Sequence, residues 1–282
     1  SPSDADLAPL FVEWYGRQPV SYENGGLWIN YAQFQQNFGA FGGGDLSLAA
    51  GRDILRAGAV VPTTASVDIA SGKVAYFGSG SLEVAAGRDI DSGMFLVSRG
   101  TGRLTAGGAL TATRYDPTPQ RTRIGTVLAV MDSQVSVNAR RGMEFETVVN
   151  PTVIGQVGQT DIENSYFLSY SAEAAVSLKS TSGDVVVQND PNHLIGSDPR
   201  SGEMLQNSVF DLSVYPGTVS IEALSGDIAV QGAMFLAPAP SGNLTLLAQG
   251  SLSVPRTISL SDIDPATVPG IANADVSSSA FL

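Results

Sequence analysis

Gly44-Asp45-Leu46-Ser47-Leu48-Ala49-Ala50-Gly51-Arg52-Asp53-Ile54 is repeated almost word for word as Gly80-Ser81-Leu82-Glu83-Val84-Ala85-Ala86-Gly87-Arg88-Asp89-Ile90. Both stretches share one grammar: an apolar-polar-apolar triplet, a turn of small residues, then a second apolar position. Period-two alternation is the pattern of a strand with one buried face. Gly-Arg-Asp suits the turn, because glycine tolerates left-handed backbone angles and aspartate hydrogen-bonds to nearby backbone N–H groups.

Looser copies begin at Val67, Leu104, Val135, Val176, Val219 and Leu244, which makes eight candidate units with Leu46 and Leu82. Their second apolar positions are Ile54, Val74, Ile90, Leu110, Met143, Val185, Ile228 and Leu252. No proline falls inside an apolar triplet, as ladder hydrogen bonding requires. A strand this short cannot bury its apolar face alone, whereas stacked copies form a continuous core. Successive first strands stand 21, 15, 22, 31, 41, 43 and 25 residues apart. The shorter steps suit one coil of a parallel β-helix, the longer ones leave room for insertions, and the 15-residue step marks an imperfect unit. The expected fold is therefore all-β: a right-handed parallel β-helix, or solenoid, with Leu46, Val67, Leu82 and Leu104 aligned in one ladder. Eight coils at about 4.8 Å each would give a rod of roughly 40 Å. A β-sandwich is the competing architecture. It would have longer strands joined by Asn-Gly hairpins, and the only Asn-Gly, Asn24-Gly25, precedes the repeats.

The regions outside the repeat divide the chain. Residues 1–42 form an aromatic-rich N-terminal flanking or capping segment holding Phe11, Trp14, Tyr15, Tyr22, Trp28, Tyr31, Phe34, Phe38 and Phe41. Trp28, Tyr31, Phe34 and Phe38 have helical spacing, which Gly39 and Gly42-Gly43-Gly44 would end. Packing over open strand edges is the preferred reading of these rings, and a sugar-binding platform is the other. The β-helix is assigned to 43–254, with inserted loops near 114–126, 147–172 and 188–216, and 255–282 to an extended C-terminal tail. The loops contain Arg114, Arg121 and Arg123; Tyr166, Phe167 and Tyr170; and the sole histidine, His193. Binding most often resides in such loops on a rigid scaffold.

Composition narrows the function. A net charge of −12 and a pI near 4.4 argue against a nucleic-acid partner, which needs a basic stripe, and against adsorption to anionic lipid. With no cysteine, disulfides, thiol nucleophiles and cysteine-ligated metals are excluded. No stretch of 18 apolar residues occurs. Both ends read as cuts through a longer polypeptide.

Many β-helices cleave polysaccharides with paired carboxylates, so the repeated acids need weighing. Asp53 and Asp89 hold equivalent turn places, as do Asp184 and Asp227. Each adjoins a glycine turn, where aspartate is used for local backbone hydrogen bonds, and that reading is preferred. The Gly-Gly-x-Gly-x-Asp calcium repeat is missing. One histidine cannot build a histidine-rich metal site, and no Gly-x-Ser-x-Gly elbow accompanies it. No catalytic, cofactor-binding or metal residue is therefore assigned, and no cofactor is expected.

The Gly-Asp-Leu-Ser-Leu-Ala-Ala-Gly-Arg-Asp-Ile units resemble those of filamentous-haemagglutinin-like large exoproteins. Asn30-Tyr31-Ala32-Gln33-Phe34-Gln35-Gln36-Asn37-Phe38-Gly39-Ala40-Phe41-Gly42-Gly43-Gly44 resembles the opening of a module from the C-terminal part of such proteins. Ile258-Ser259-Leu260-Ser261-Asp262-Ile263-Asp264-Pro265, followed by Val268-Pro269, resembles its close. The resemblance implies a right-handed β-helix and a parent chain exported by a dedicated outer-membrane transporter (two-partner secretion). It also implies a secreted or cell-surface location on a Gram-negative bacterium, and a role in adhesion or biofilm. The expected function is a structural and adhesive rod segment without catalysis, meeting cell-surface glycans or proteins. The alternatives are a polysaccharide lyase or glycoside hydrolase using carboxylates from adjacent coils, and a module that self-associates end to end into filaments.

Overall fold

The computed structural model describes residues 15–21, 24–29, 31, 34, 37–68, 73–115, 123–150, 170–189 and 214–260. Over these residues the chain is all-β, with one large, mainly parallel sheet of 16 strands, and no α-helix occurs among them.

The apolar triplets form a first stack of parallel strands. Leu46–Ala50 pairs with Leu82–Ala86, which pairs with the second half of Met94–Ala106. The second half of Thr126–Ala139, then Ala175–Ser180, Thr218–Ala223 and Asn243–Ala248, continue the series in register. Leu48, Val84, Leu104, Val137, Leu178, Ile221 and Leu246 thus lie side by side. The next inward row is small: Ala50, Ala86, Ala106, Ala139, Ser180, Ala223 and Ala248. A second stack starts just past the turn, and its single row is Ile54, Ile90, Leu110, Met143, Val185, Ile228 and Leu252. The unit grammar singles out every one of these. Each fully buried branched aliphatic contributes about 1.5–3 kcal/mol, and the middle of both rows is fully buried. The corner between the stacks is tight. A Cβ on Gly87 would run into the carbonyl of Gly51, and one on Gly107 into that of Gly87.

A third stack carries no signature in the repeat. Phe38–Gly39, Gly58–Val61, the first halves of Met94–Ala106 and Thr126–Ala139, and the end of Met143–Val149 pair in parallel. A separate parallel sheet of Val214–Tyr215, Met234–Leu236 and Ile258–Leu260 takes over from there. Along the chain, strands enter the first, second and third stacks in turn. Seven such passes begin at Leu46, Leu82, Gly102, Gln134, Ala175, Thr218 and Asn243, and Phe38–Gly39 precedes them.

Several expectations change. The unit at Val67 is no rung of the ladder. Thr64–Asp68 pairs antiparallel with Lys73–Phe77, placing Val67 opposite Val74, and Asn24–Ile29 joins Thr64–Asp68 to Tyr15–Ser21 in a four-stranded antiparallel sheet. An apolar-polar-apolar run, a glycine turn and another apolar residue also describe a hairpin, so the grammar fits both. Leu104 aligns with Val84, and Gly102 takes the place opposite Leu82. The space at Gly102 is filled from the sides: a Cβ there would meet both γ-methyls of Val135 at 3.0 Å. Both ends of the helix expected from Trp28 to Phe38 are strand instead, Trp28 in the antiparallel strand Asn24–Ile29 and Phe38 at the start of the third stack, while residues 30, 32–33 and 35–36 between them lie outside the described residues. Beyond 254, Ile258–Leu260 is the last rung of the third stack, so the repeat body runs into the segment read as tail.

Candidate functional site

The insertions are not spread evenly. The hairpin Thr64–Phe77 leaves the chain between a third-stack and a first-stack strand. Arg114–Tyr115 and Arg123–Ile124 pair antiparallel as a second excursion, between second and third stacks. Residues 151–169, with Tyr166 and Phe167, and residues 190–213, with His193, lie outside the described residues; so does Arg121. The first of these segments follows a third-stack strand, and the second precedes one. Every excursion therefore borders the third stack. The corner from first to second stack is crossed seven times without one. Loops on a scaffold are where binding resides, so the third-stack side is the candidate functional surface.

Polar side chains, most of them buried, fasten the roots of these excursions. Asp91 is buried; its carboxylate accepts the Thr113 N–H at 2.9 Å, the Thr111 hydroxyl at 2.9 Å and the Thr113 hydroxyl at 2.5 Å. Glu144 accepts the Ala112 N–H at 3.1 Å and lies 3.7 Å from the Arg123 guanidinium. Buried Glu146 accepts the Gly125 N–H at 2.9 Å. The Ser92 hydroxyl donates to the Ile124 carbonyl at 3.0 Å. These three acids were not singled out from sequence. Their signal was the row itself: Asp91 directly follows ladder residue Ile90, as Glu144 follows Met143.

The hairpin Thr64–Phe77 is held differently. The Arg99 guanidinium lies 4.5 Å over the Tyr76 ring, and its Nε reaches the Asp132 carboxylate at 3.2 Å. Burial pushes the Tyr76 hydroxyl far above its ordinary pKa, with Arg99 opposing, so it stays a neutral phenol.

The roots of 151–169 and 190–213 meet in a buried knot. Asn189, at φ 53°, accepts the Thr147 hydroxyl at 2.7 Å and the Tyr215 hydroxyl at 3.0 Å, and donates to the Ala233 carbonyl. The Val148 N–H reaches the Tyr215 oxygen at 3.4 Å, and the Tyr170 hydroxyl donates to the Val214 carbonyl at 2.7 Å. These side chains bridge Thr147–Val149 and Val214–Tyr215, which share no strand register. Burial raises both tyrosine hydroxyls well above their ordinary pKa values.

The third stack also has a second apolar face. Val60, Leu96, Ala129 and Val149 are in register, and Met94 aligns with Val127. All are buried, yet none belongs to the main core. Parallel sheets covered on both faces read in this way.

The turn acids lie at the opposite corner. Each reaches the equivalent turn of the next pass rather than its own turn. Asp53 accepts the Asp89 N–H at 3.2 Å, Asp89 that of Ala109 at 2.8 Å, Asp184 that of Asp227 at 2.8 Å, and Asp227 that of Ser251 at 2.6 Å. At the other end of the first-stack strand, Asp45 does the same for Ser81 at 2.8 Å. Arginines reinforce the first tract. Arg88 clamps Asp53 through two guanidinium N–H groups, and Arg141 donates to Asp89 at 3.0 Å. The hydrogen bond from Arg88 holds the Asp53 carboxyl below the usual carboxylate range.

No protein-family model, curated protein or solved structure matches the chain. Its chemistry rests on its own residues. Every turn or root carboxylate named above accepts a backbone N–H except Asp132, which pairs with Arg99. Among the described residues no cluster of three or more His, Cys, Asp or Glu could hold a metal ion, and no helix is long and apolar enough to cross a membrane.

Proposed function

We propose that the chain is a structural and adhesive rod segment: a right-handed parallel β-helix of seven coils that carries its binding loops along one side. The observation that carries this reading is the unbroken register of seven first-stack and seven second-stack strands. Strands that enter three stacks in a fixed rotation are what a coiled solenoid requires. Right-handedness follows from the general rule for parallel crossovers. Seven coils at about 4.8 Å give a rod of roughly 35 Å.

With the repeat grammar, this architecture supports a place in a very large secreted protein of the filamentous-haemagglutinin-like kind. Such a parent chain would be exported through an outer-membrane transporter to a Gram-negative cell surface, for attachment or biofilm formation. The partner would be a glycan or protein of another cell, met by the excursions beside the third stack. The carboxylates favour this reading over a polysaccharide-cleaving one. An acid–base pair needs groups free to exchange protons with substrate, and these acids are engaged in holding backbone.

A glycan array read together with release of reducing ends tests the proposal. Binding without release, weakened by changes in the excursions, is the expected result. Release that disappears in Glu144→Gln or Asp91→Asn would make the protein an enzyme and end the adhesin reading.

A further inference from the structure

The two ends of the first stack are chemically alike. One presents Leu46, Leu48 and Ala50, and the other Leu244, Leu246 and Ala248. All six occupy interior rows yet are only partly buried, whereas their counterparts in the middle passes are buried. Leu252 and Leu260, on the last rungs of the other stacks, are about half exposed. Matching, partly exposed apolar ends whose outer edges have no strand partner among the described residues are a template for stacking one copy on the next.

The third stack spoils that fit. Among the described residues it has eight rungs, Phe38–Gly39 through Ile258–Leu260, against seven in each of the others. The series therefore starts and ends on the same stack. If a second copy set its Leu46–Ala50 on Asn243–Ala248, its Phe38–Gly39 would need the slot that Ile258–Leu260 already fills. We propose that Phe38–Gly39 is a stop that keeps copies of this chain from stacking head to tail. Its anchoring suits the role. Asn37 accepts the Gly58 N–H at 2.7 Å through its side chain, and the Ala40 N–H donates to the Val60 carbonyl at 3.0 Å. Phe41 packs edge-on against Tyr31 and Phe34, with centroids 5.3 and 4.8 Å apart. A Cβ on Gly39 would meet the Phe41 ring at 2.6 Å, so glycine is what lets the aromatic group close over the rung.

The inference rests on the coil reading, and one set of proteins carrying all 282 residues separates the two. Small-angle scattering of the intact chain measures the body's length and tests the coil by itself. Sedimentation velocity tests the stop. The intact chain is expected to remain a monomer as concentration rises. Gly39→Glu combined with Asn37→Ala should lift the rung and strengthen self-association by at least ~10-fold, and adding Leu246→Glu should reverse this. Phe38→Pro, which removes the rung's N–H donor and leaves Asn37 alone, should act the same way. Three results would each overturn the stop: folded variants that stay monomeric, association that Leu246→Glu leaves untouched, or an intact chain that already oligomerises through Leu246.

Discussion

The first and third stacks are built from the same chain, yet they solve burial differently. The first is one-sided. Leu82–Ala86 and Ala175–Ser180 alternate inward apolar and outward polar side chains, so Ser136, Ser177, Ser220 and Thr245 line its outer surface in register. The third is two-sided over its first passes. Gly58–Val61 and the start of Met94–Ala106 are buried at every position. The bare side has tight corners and no excursions, and the covered side has all of them. A repeat body can thus keep its strand register uniform on one flank and vary on another, because the ladder needs only its inward rows.

The contrast can be broken most sharply with paired truncations. Leu178→Ala, in the first-stack core, should cost about 2–5 kcal/mol in denaturant unfolding. Leu96→Ala, on the outward face of the third stack, should cost a comparable amount, because that residue is fully buried. A loss at Leu96 no larger than a surface change would show the second apolar layer to be unpacked. Next in size is Asn189→Ala, which strips partners from Thr147, Tyr215 and Ala233 together. It should cost about 2–3 kcal/mol, as expected for buried groups left unsatisfied, measured as a drop in the denaturation midpoint. On the bare side, Asp227→Ala should cost about 1–2 kcal/mol by removing a charged acceptor from the Ser251 N–H, and Asp227→Asn should recover part of it.

Asp53 sharpens the comparison through pH. Its folded pKa lies below the unfolded value of 3.8, so its stabilisation is present above that value and is lost as pH falls through the folded one. Melting curves below about pH 4 should therefore flatten in Asp53→Asn, and salt should weaken the effect because the pair with Arg88 is exposed. Smallest of all, Ser177→Ala should move stability by no more than ~0.5 kcal/mol.

How much could be read beforehand follows the same division. The inward rows of the first two stacks were legible because alternation is strict and the glycine turn admits few substitutes. The third stack was not. Gly58-Ala59-Val60-Val61 and Met94-Phe95-Leu96-Val97 are continuous apolar runs, and without alternation a run has no phase to read. The hairpin at Val67 was mistaken for a coil because a strand, a glycine turn and a strand look alike whether the chain returns or moves on. The candidate site was hidden for a further reason. Asp91, Glu144 and Glu146 acquire their roles only from backbone N–H groups about 20 or more residues away, a proximity created by the pitch of a pass. The turn aspartates, by contrast, were correctly read as binders of backbone, although in the wrong turn.

That displaced partnership gives the side-chain bonds of the corner a direction. At Asp53, Asp89, Asp184 and Asp227 the acceptor always belongs to the earlier pass and the N–H to the later one, and Asp45 does the same at the entry to the first stack. The hydroxyls of Ser182 and Ser225 keep the same sense, donating back to the carbonyls of Arg140 and Thr181. In these side-chain bonds the later pass thus donates to the earlier one, while the backbone N–H groups of Ile54, Ile90, Met143, Val185 and Ile228 donate the other way, to carbonyls of the later pass. Each corner is therefore a two-way clasp, in which the earlier pass supplies the carboxylate and the later pass supplies the carbonyl.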